Sequence, residues 1–239
     1  MLALGPHPET LDSWLSRRER GEPLAWIVGH VDFLGRRLGV EHGVYVPRQQ
    51  SCELASRASE LLPAHGRAAD LCTGSGAVGA ALLAADPTAQ LVATDIDPRA
   101  AGCARRNGVA VVLTDLDRGL RSDSFDVVTA VAPYVPSGEM HLLPADVQRF
   151  EPARALDGGP DGLDVVRRLV VGAARLLTRG GWLLTEIGGH QDVALAGLLG
   201  RAGFAAPTWW YDDDGDLRGL AAQLVDEGPR ARRGAATEG

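Results

Sequence analysis

Residues 68–79 read Ala68-Ala69-Asp70-Leu71-Cys72-Thr73-Gly74-Ser75-Gly76-Ala77-Val78-Gly79. A short apolar run ends in a carboxylate, a glycine-rich turn follows, and an alanine-rich stretch begins at once. That order predicts a strand over 68–72 passing through a tight loop into a helix over 77–85. Gly74, Gly76 and Gly79 match the G-x-G-x-x-G pattern, and Asp95 lies 21 residues beyond Gly74, at the end of the next apolar run, 90–94. A carboxylate at that place meets the hydroxyls of a ribose.

Outward from the loop the same rhythm continues. Pro98 opens a helix over 98–106, strands follow over 109–113 and 125–131, and apolar residues at 163, 165, 166, 169, 170, 173 and 176 predict a helix over 161–177. A strand over 182–187 and a helix over 191–202 come next. Segments 205–211 and 217–225 flank the acidic turn 212–216 and read as an antiparallel hairpin. The fold class expected is α/β: a Rossmann-like, doubly wound, mostly parallel seven-stranded sheet with a C-terminal antiparallel hairpin. Upstream, 8–20 forms a short helix. Strand-like runs at 26–28, 31–33 and 44–46 suggest a β-hairpin, and Ser51 is placed to cap a helix reaching residue 62. The chain thus divides into a short N-terminal helical segment (1–21), a β-hairpin and linker helix (22–62), a cofactor-binding domain (63–226) and a flexible tail (227–239).

Composition removes several chemistries. The chain has 239 residues and no lysine, all 24 of its cationic side chains being arginine. Schiff-base catalysis and the phosphate-gripping lysine of a P-loop are therefore excluded. A net charge of −7 argues against a broad nucleic-acid footprint. No run of eighteen apolar residues occurs and the N-terminal segment is charged, so a cytoplasmic protein with no membrane association is expected. Cys52, Cys72 and Cys103 and the six histidines show no metal-ligand spacing, and no metal is expected.

Asp70 selects among cofactors. A carboxylate fixed beside the loop repels a pyrophosphate but attracts the cationic α-amino group of S-adenosylmethionine, so the sulfonium cofactor is preferred to a dinucleotide. The plainer alternative makes the loop a simple tight turn, with Asp70 and Asp95 as solvated strand ends.

At this point the sequence resembles the class I methyltransferases and, more narrowly, the HemK/PrmC group of protein glutamine-N5 methyltransferases. The resemblance runs from about residue 22 to 225. It is carried by Glu22-Pro23-Leu24-Ala25-Trp26-Ile27-Val28-Gly29, Val46-Pro47-Arg48, the run from Asp70 to Val78, Thr94-Asp95-Ile96-Asp97, Thr114-Asp115-Leu116, and Glu151-Pro152-Ala153-Arg154-Ala155-Leu156-Asp157-Gly158-Gly159 with Asp161-Gly162-Leu163. It implies that Cys72, Thr73, Gly74, Ser75 and Gly76 hold the methionine part of S-adenosylmethionine, that Asp95 holds the ribose, and that Ile96, Asp115 and Leu116 hold the adenine. For Asp115 a helix N-cap or turn role stands beside an adenine contact.

The family's Asn-Pro-Pro-Tyr tetrapeptide aligns with Val131-Ala132-Pro133-Tyr134. In the family it clamps a glutamine amide: the Asn side chain accepts one N–H, a backbone carbonyl accepts the other, and the aromatic ring packs on the flat group. Ala132 keeps its carbonyl, and a related group also relaxes this position and carries a Leu-Cys pair like Leu71-Cys72. Val131 cannot accept a hydrogen bond, and losing one preorganised contact costs about 10²- to 10³-fold. The family's Pro-Arg-Pro-x-Thr-Glu becomes Pro47-Arg48-Gln49-Gln50-Ser51-Cys52, with the carboxylate displaced to Glu53. The helical substrate-recognition region is reduced to about twenty residues.

The reading that follows is methyl transfer to a glutamine of a protein, of release-factor or ribosomal-protein type. Val131 motivates one alternative, a cofactor-binding protein with lost or altered catalysis. The similar tetrapeptide of adenine-N6 methyltransferases motivates another, which the acidic charge disfavours.

Overall fold

The computed structural model describes residues 8–225, with side chains from residue 10. The expected tail 227–239 lies outside the described residues. A helix α1 (Pro8–Glu19) leads into a short helix α2 (Leu24–Val28), a two-stranded hairpin β1 (His30–Phe33) and β2 (Arg36–Gly39), and helix α3 (Ser51–Leu61). The alternating part follows as β3 (Arg67–Leu71), α4 (Ala77–Ala85), β4 (Gln90–Asp95), α5 (Pro98–Arg106), β5 (Val111–Leu113) and β6 (Phe125–Ala130). After α6 (Ala145–Phe150) come α7 (Asp164–Leu176), β7 (Leu177–Glu186), α8 (Gln191–Arg201), β8 (Thr208–Tyr211) and β9 (Leu217–Gln223).

The main sheet has seven strands in the order β5-β4-β3-β6-β7-β9-β8. The pairs from β5 to β7 are parallel, and β9 runs antiparallel to both β7 and β8. Side chains alternate between two buried faces, as a sheet covered on both sides requires. Ala69, Leu71, Val128 and Leu183 pack with α7 and α8, whereas Ala68, Val127 and Leu184 pack with α3 and α4. The chain crosses outward from β3 to β5 and then returns to β6 on the other side of β3. This reversal of strand order leaves a crevice at the carboxyl ends of β3 and β6, the place where open α/β sheets bind ligands.

Three expectations need correction. The run 26–28 is helical rather than extended: Trp26 and Ile27 are adjacent and both buried, and the Trp26 indole N–H donates to the Val44 carbonyl at 3.0 Å. Tertiary burial here overrides the β preference of Ile and Val. The hairpin is instead made by β1 and β2, joined by Leu34 and Gly35 at φ 46° and 72°, a turn whose positive φ values match strand twist. The run 44–46 forms no strand. Finally, Ser51 is not a helix cap: Gln50 holds the N-cap position without a side-chain bond, and the Ser51 hydroxyl is used elsewhere. No helix among the described residues is long and apolar enough to cross a membrane.

The small hairpin is fastened to the glycine loop by Asn107, the chain's single asparagine. Its Nδ2 donates to the Gly39 carbonyl at 2.9 Å and the Ser75 carbonyl at 2.8 Å, while Oδ1 accepts from the Gly39 amide at 2.9 Å. Replacing Asn107→Ala removes all three bonds and lowers stability by about 1–3 kcal/mol, read as a fall in denaturation midpoint. An unchanged midpoint would show that the hairpin docks through its apolar contacts alone.

Candidate functional site

The carboxyl ends of β3, β4 and β6 open into a cleft lined by Asp70, Asp95, Ile96 and Val131. Asp70, at the end of β3, is only 1% exposed. Its carboxylate accepts from Thr73 Oγ1 at 2.6 Å, Thr129 Oγ1 at 2.8 Å and the Gly79 amide at 3.2 Å. Burial pushes its pKa up to about 6, against the downward pull of those three bonds. Since a carboxylate offers about four acceptor sites, one remains for a cation in the cleft.

Asp95 ends β4, where Oδ2 accepts from the Gly74 amide and Oδ1 from the Asp97 amide, both at 2.8 Å. Burial raises its pKa as well. Gly76 is held at φ 83°, and a Cβ there would lie 3.0 Å from the Ala104 methyl, so the turn leaves no room for a side chain. Cys72 and Leu116 line the cleft at φ 55° and 50°, left-handed values that cost on the order of 1 kcal/mol for residues with a Cβ. Such strain collects at ligand sites. Ile96 is 60% exposed, an aliphatic face left open at the cleft. Asp115 lies in a turn rather than at a helix start, and its carboxylate accepts from Arg168 at 2.5 Å. Ser75 Oγ is buried and lacks a hydrogen-bond partner among the described residues.

Val131-Ala132-Pro133-Tyr134 leaves the end of β6 on a backbone fixed at both sides. Thr185 Oγ1 donates to the Ala130 carbonyl at 2.9 Å, and Gln191 Nε2 donates to the Tyr134 carbonyl at 2.8 Å. Among the described residues no donor reaches the Ala132 or Pro133 carbonyl. Val131 and Tyr45 line both the first cleft and a second one beside it, whose walls include Gln50, Ala132, Tyr134, Leu143 and Val147. Two clefts therefore meet at Val131.

Behind the second cleft lies a group that sequence reading missed. Glu186, ending β7, is 1% exposed and has its pKa raised by burial. Ser51 Oγ donates to its Oε1 at 2.5 Å, and Gln50 Nε2 donates to its Oε2 at 3.2 Å and to the Tyr134 hydroxyl oxygen at 2.8 Å. Glu53, the displaced carboxylate, stands on the exposed side of α3 and pairs with Arg57 at 2.6 Å. The carboxylate at this wall thus comes from a strand 135 residues beyond Ser51. Arg48 pairs with buried Glu151 at 2.5 Å and stacks over Tyr45, fixing the loop that carries Gln50.

The chain matches a family model described as "Methyltransferase small domain" over residues 51–142. It is 35% identical over 216 residues to the release factor glutamine methyltransferase of Geobacter sulfurreducens, covering 88% of this chain and 76% of that protein. With the protein of the same name from Moorella thermoacetica it is 40% identical over 199 residues, 79% of this chain and 70% of that one. The chain belongs to the release factor glutamine methyltransferase family. Among solved structures, ribosomal protein L11 methylase from Lactobacillus delbrueckii subsp. bulgaricus superposes with a TM-score of 0.57 at 18% identity, covering 78% of this chain and 84% of that one, a likeness of fold.

S-adenosylmethionine is the cofactor of this methyltransferase family, and the first cleft has the chemistry to take it. Asp70 presents negative charge for an ammonium, Asp95 has acceptor capacity left for ribose hydroxyls, Ile96 offers an apolar face for a purine, and Ser75 Oγ awaits a partner. The Asp70 carboxyl sets a pH dependence. Its folded pKa near 6 lies above the ordinary value of 3.8, so the native chain holds a proton that the unfolded chain releases between these values. Stability from this group falls as pH rises through that window, while attraction for a cation grows. S-adenosylhomocysteine, which carries the same ammonium, is expected to bind progressively more weakly below pH 6, approaching about tenfold per unit, by calorimetry. Asp70→Asn should bind weakly with that limb absent; a variant retaining the wild-type profile would assign the limb to another group.

Proposed function

We propose that this chain transfers a methyl group to the side-chain amide nitrogen of a glutamine in a peptide chain release factor. The observation that carries the reading is the meeting of two clefts at Val131, one with the charges for a sulfonium cofactor and one bordered by Ala132, whose carbonyl is unbonded, and Tyr134. The relatives' activity supports the same acceptor. When bound, S-adenosylmethionine supplies an electrophilic methyl, and the net reaction exchanges one amide N–H for N–CH3 with release of a proton and a thioether.

The chain's own residues hold and orient. An amide nitrogen is a poor nucleophile because its lone pair is delocalised, so the work is positioning, worth up to about 7–11 kcal/mol in well-aligned systems. The Ala132 carbonyl would accept an amide N–H, and the Tyr134 ring would cover the flat face. Tyr134 stays a neutral phenol, since burial pushes its pKa up to about 12. In this site no side chain needs to act as a strong base.

Incubation with labelled cofactor and a bacterial release factor should place one methyl on a glutamine, located by peptide mass mapping. Tyr134→Ala should lower kcat/KM by about 10²-fold through lost alignment. Label appearing only on nucleic acid, or saturable cofactor binding with transfer to no fraction of a lysate, would reject the proposal.

A further inference from the structure

Val131 leaves the acceptor cleft without the side-chain oxygen that an amide clamp requires, and the opposite wall carries a carboxamide at Gln50. We propose that Gln50 Oε1 accepts an N–H of the substrate glutamine amide, doing from the start of α3 what position 131 cannot do; this rests on the glutamine reading above. Both hydrogens of Gln50 Nε2 are engaged, one by the Tyr134 hydroxyl oxygen at 2.8 Å and one by Glu186 Oε2 at 3.2 Å. A carboxylate only accepts, so Glu186 fixes which end of the Gln50 amide turns toward it. The Ser51 hydroxyl, bonded to the other Glu186 oxygen, holds that carboxylate in turn.

Oε1 is therefore the end that remains. No described residue donates to it, and it is not among the fully buried polar atoms lacking a partner, so it is not sealed from solvent. Gln50 lines the second cleft together with Val131, Ala132 and Tyr134. Gln50 thus shares this cleft with Ala132, whose carbonyl accepts from no described residue, and with the Tyr134 ring, the other two parts of a clamp. Preorganisation is strong because the amide is pinned from behind by a buried carboxylate that spans two distant segments of chain.

The test compares kcat for methyl transfer to a release factor in the wild type, Gln50→Met, Val131→Asn and the double variant. Calorimetry with S-adenosylhomocysteine and thermal melts run alongside. Gln50→Met keeps side-chain length but lacks the oxygen, and should lose about 10²-fold or more in kcat while binding S-adenosylhomocysteine normally. Val131→Asn should restore at least about tenfold to Gln50→Met and raise the wild type by clearly less than that, because the two oxygens serve one hydrogen bond. The proposal is overturned if Gln50→Met turns over as the wild type does, or if Val131→Asn raises the wild type as much as it raises Gln50→Met. A loss in Gln50→Met that comes with a lowered melting point and no rescue by Val131→Asn overturns it too, leaving Gln50 a role in the fold alone. Transfer by Val131→Asn but not by the wild type rejects Gln50 as the acceptor while keeping the glutamine reading. Absence of transfer by all four rejects both.

Discussion

A carboxylate buried at the centre of a parallel sheet dictates much of what surrounds it. Taking Asp70 out of water costs several kcal/mol unless its oxygens are bonded, and the three donors that meet the need come from three places: the loop, the first turn of α4, and β6. Gly79 lets α4 approach closely enough for its amide to reach. Thr129 occupies the register position beside Asp70 on the neighbouring strand. The carboxylate thus pins the loop, the helix and the strand carrying the tetrapeptide to one point, and its residual charge is directed at the cleft above.

How far the sequence reveals this depends on how local each feature is. The glycine loop, the βα alternation and the two strand-end aspartates are written within a few residues of one another, and the seven-stranded sheet follows from them. The helix at 24–28 is hidden because Trp-Ile-Val reads as a strand until the contact between Trp26 and the Val44 carbonyl is known. Ser51 reads as a local cap, whereas its hydroxyl serves Glu186 at the far end of β7. The segment 137–155, with its short helix α6 and two 3₁₀ turns, shows no extended periodicity, yet it supplies Leu143 and Val147 to the second cleft.

Glu186 illustrates the limit in another way. A scan for charge in the segment 47–53 finds Glu53 and assumes it has moved by one place. The fold shows Glu53 in water beside Arg57, with the wall of the cleft backed by a carboxylate from a different strand. Residue type along the chain identifies which chemistries are present; only the register between strands and the direction of α3 decide which of two carboxylates does the work.

The three bonds of Asn107 have a bearing on how the cleft is assembled. Its partner Gly39 lies 68 positions away in the chain, on a hairpin that is not part of the main sheet. Closing so long a loop carries an entropic cost that short-range contacts do not have. The glycine turn can adopt its local shape once β3 and α4 are in place, but the Asn107 carboxamide that bonds the Ser75 carbonyl is itself held by Gly39, from the other end of the domain. Rigidity at the loop is in this sense imported, and a binding surface that looks local in sequence is completed only when remote parts of the chain have met.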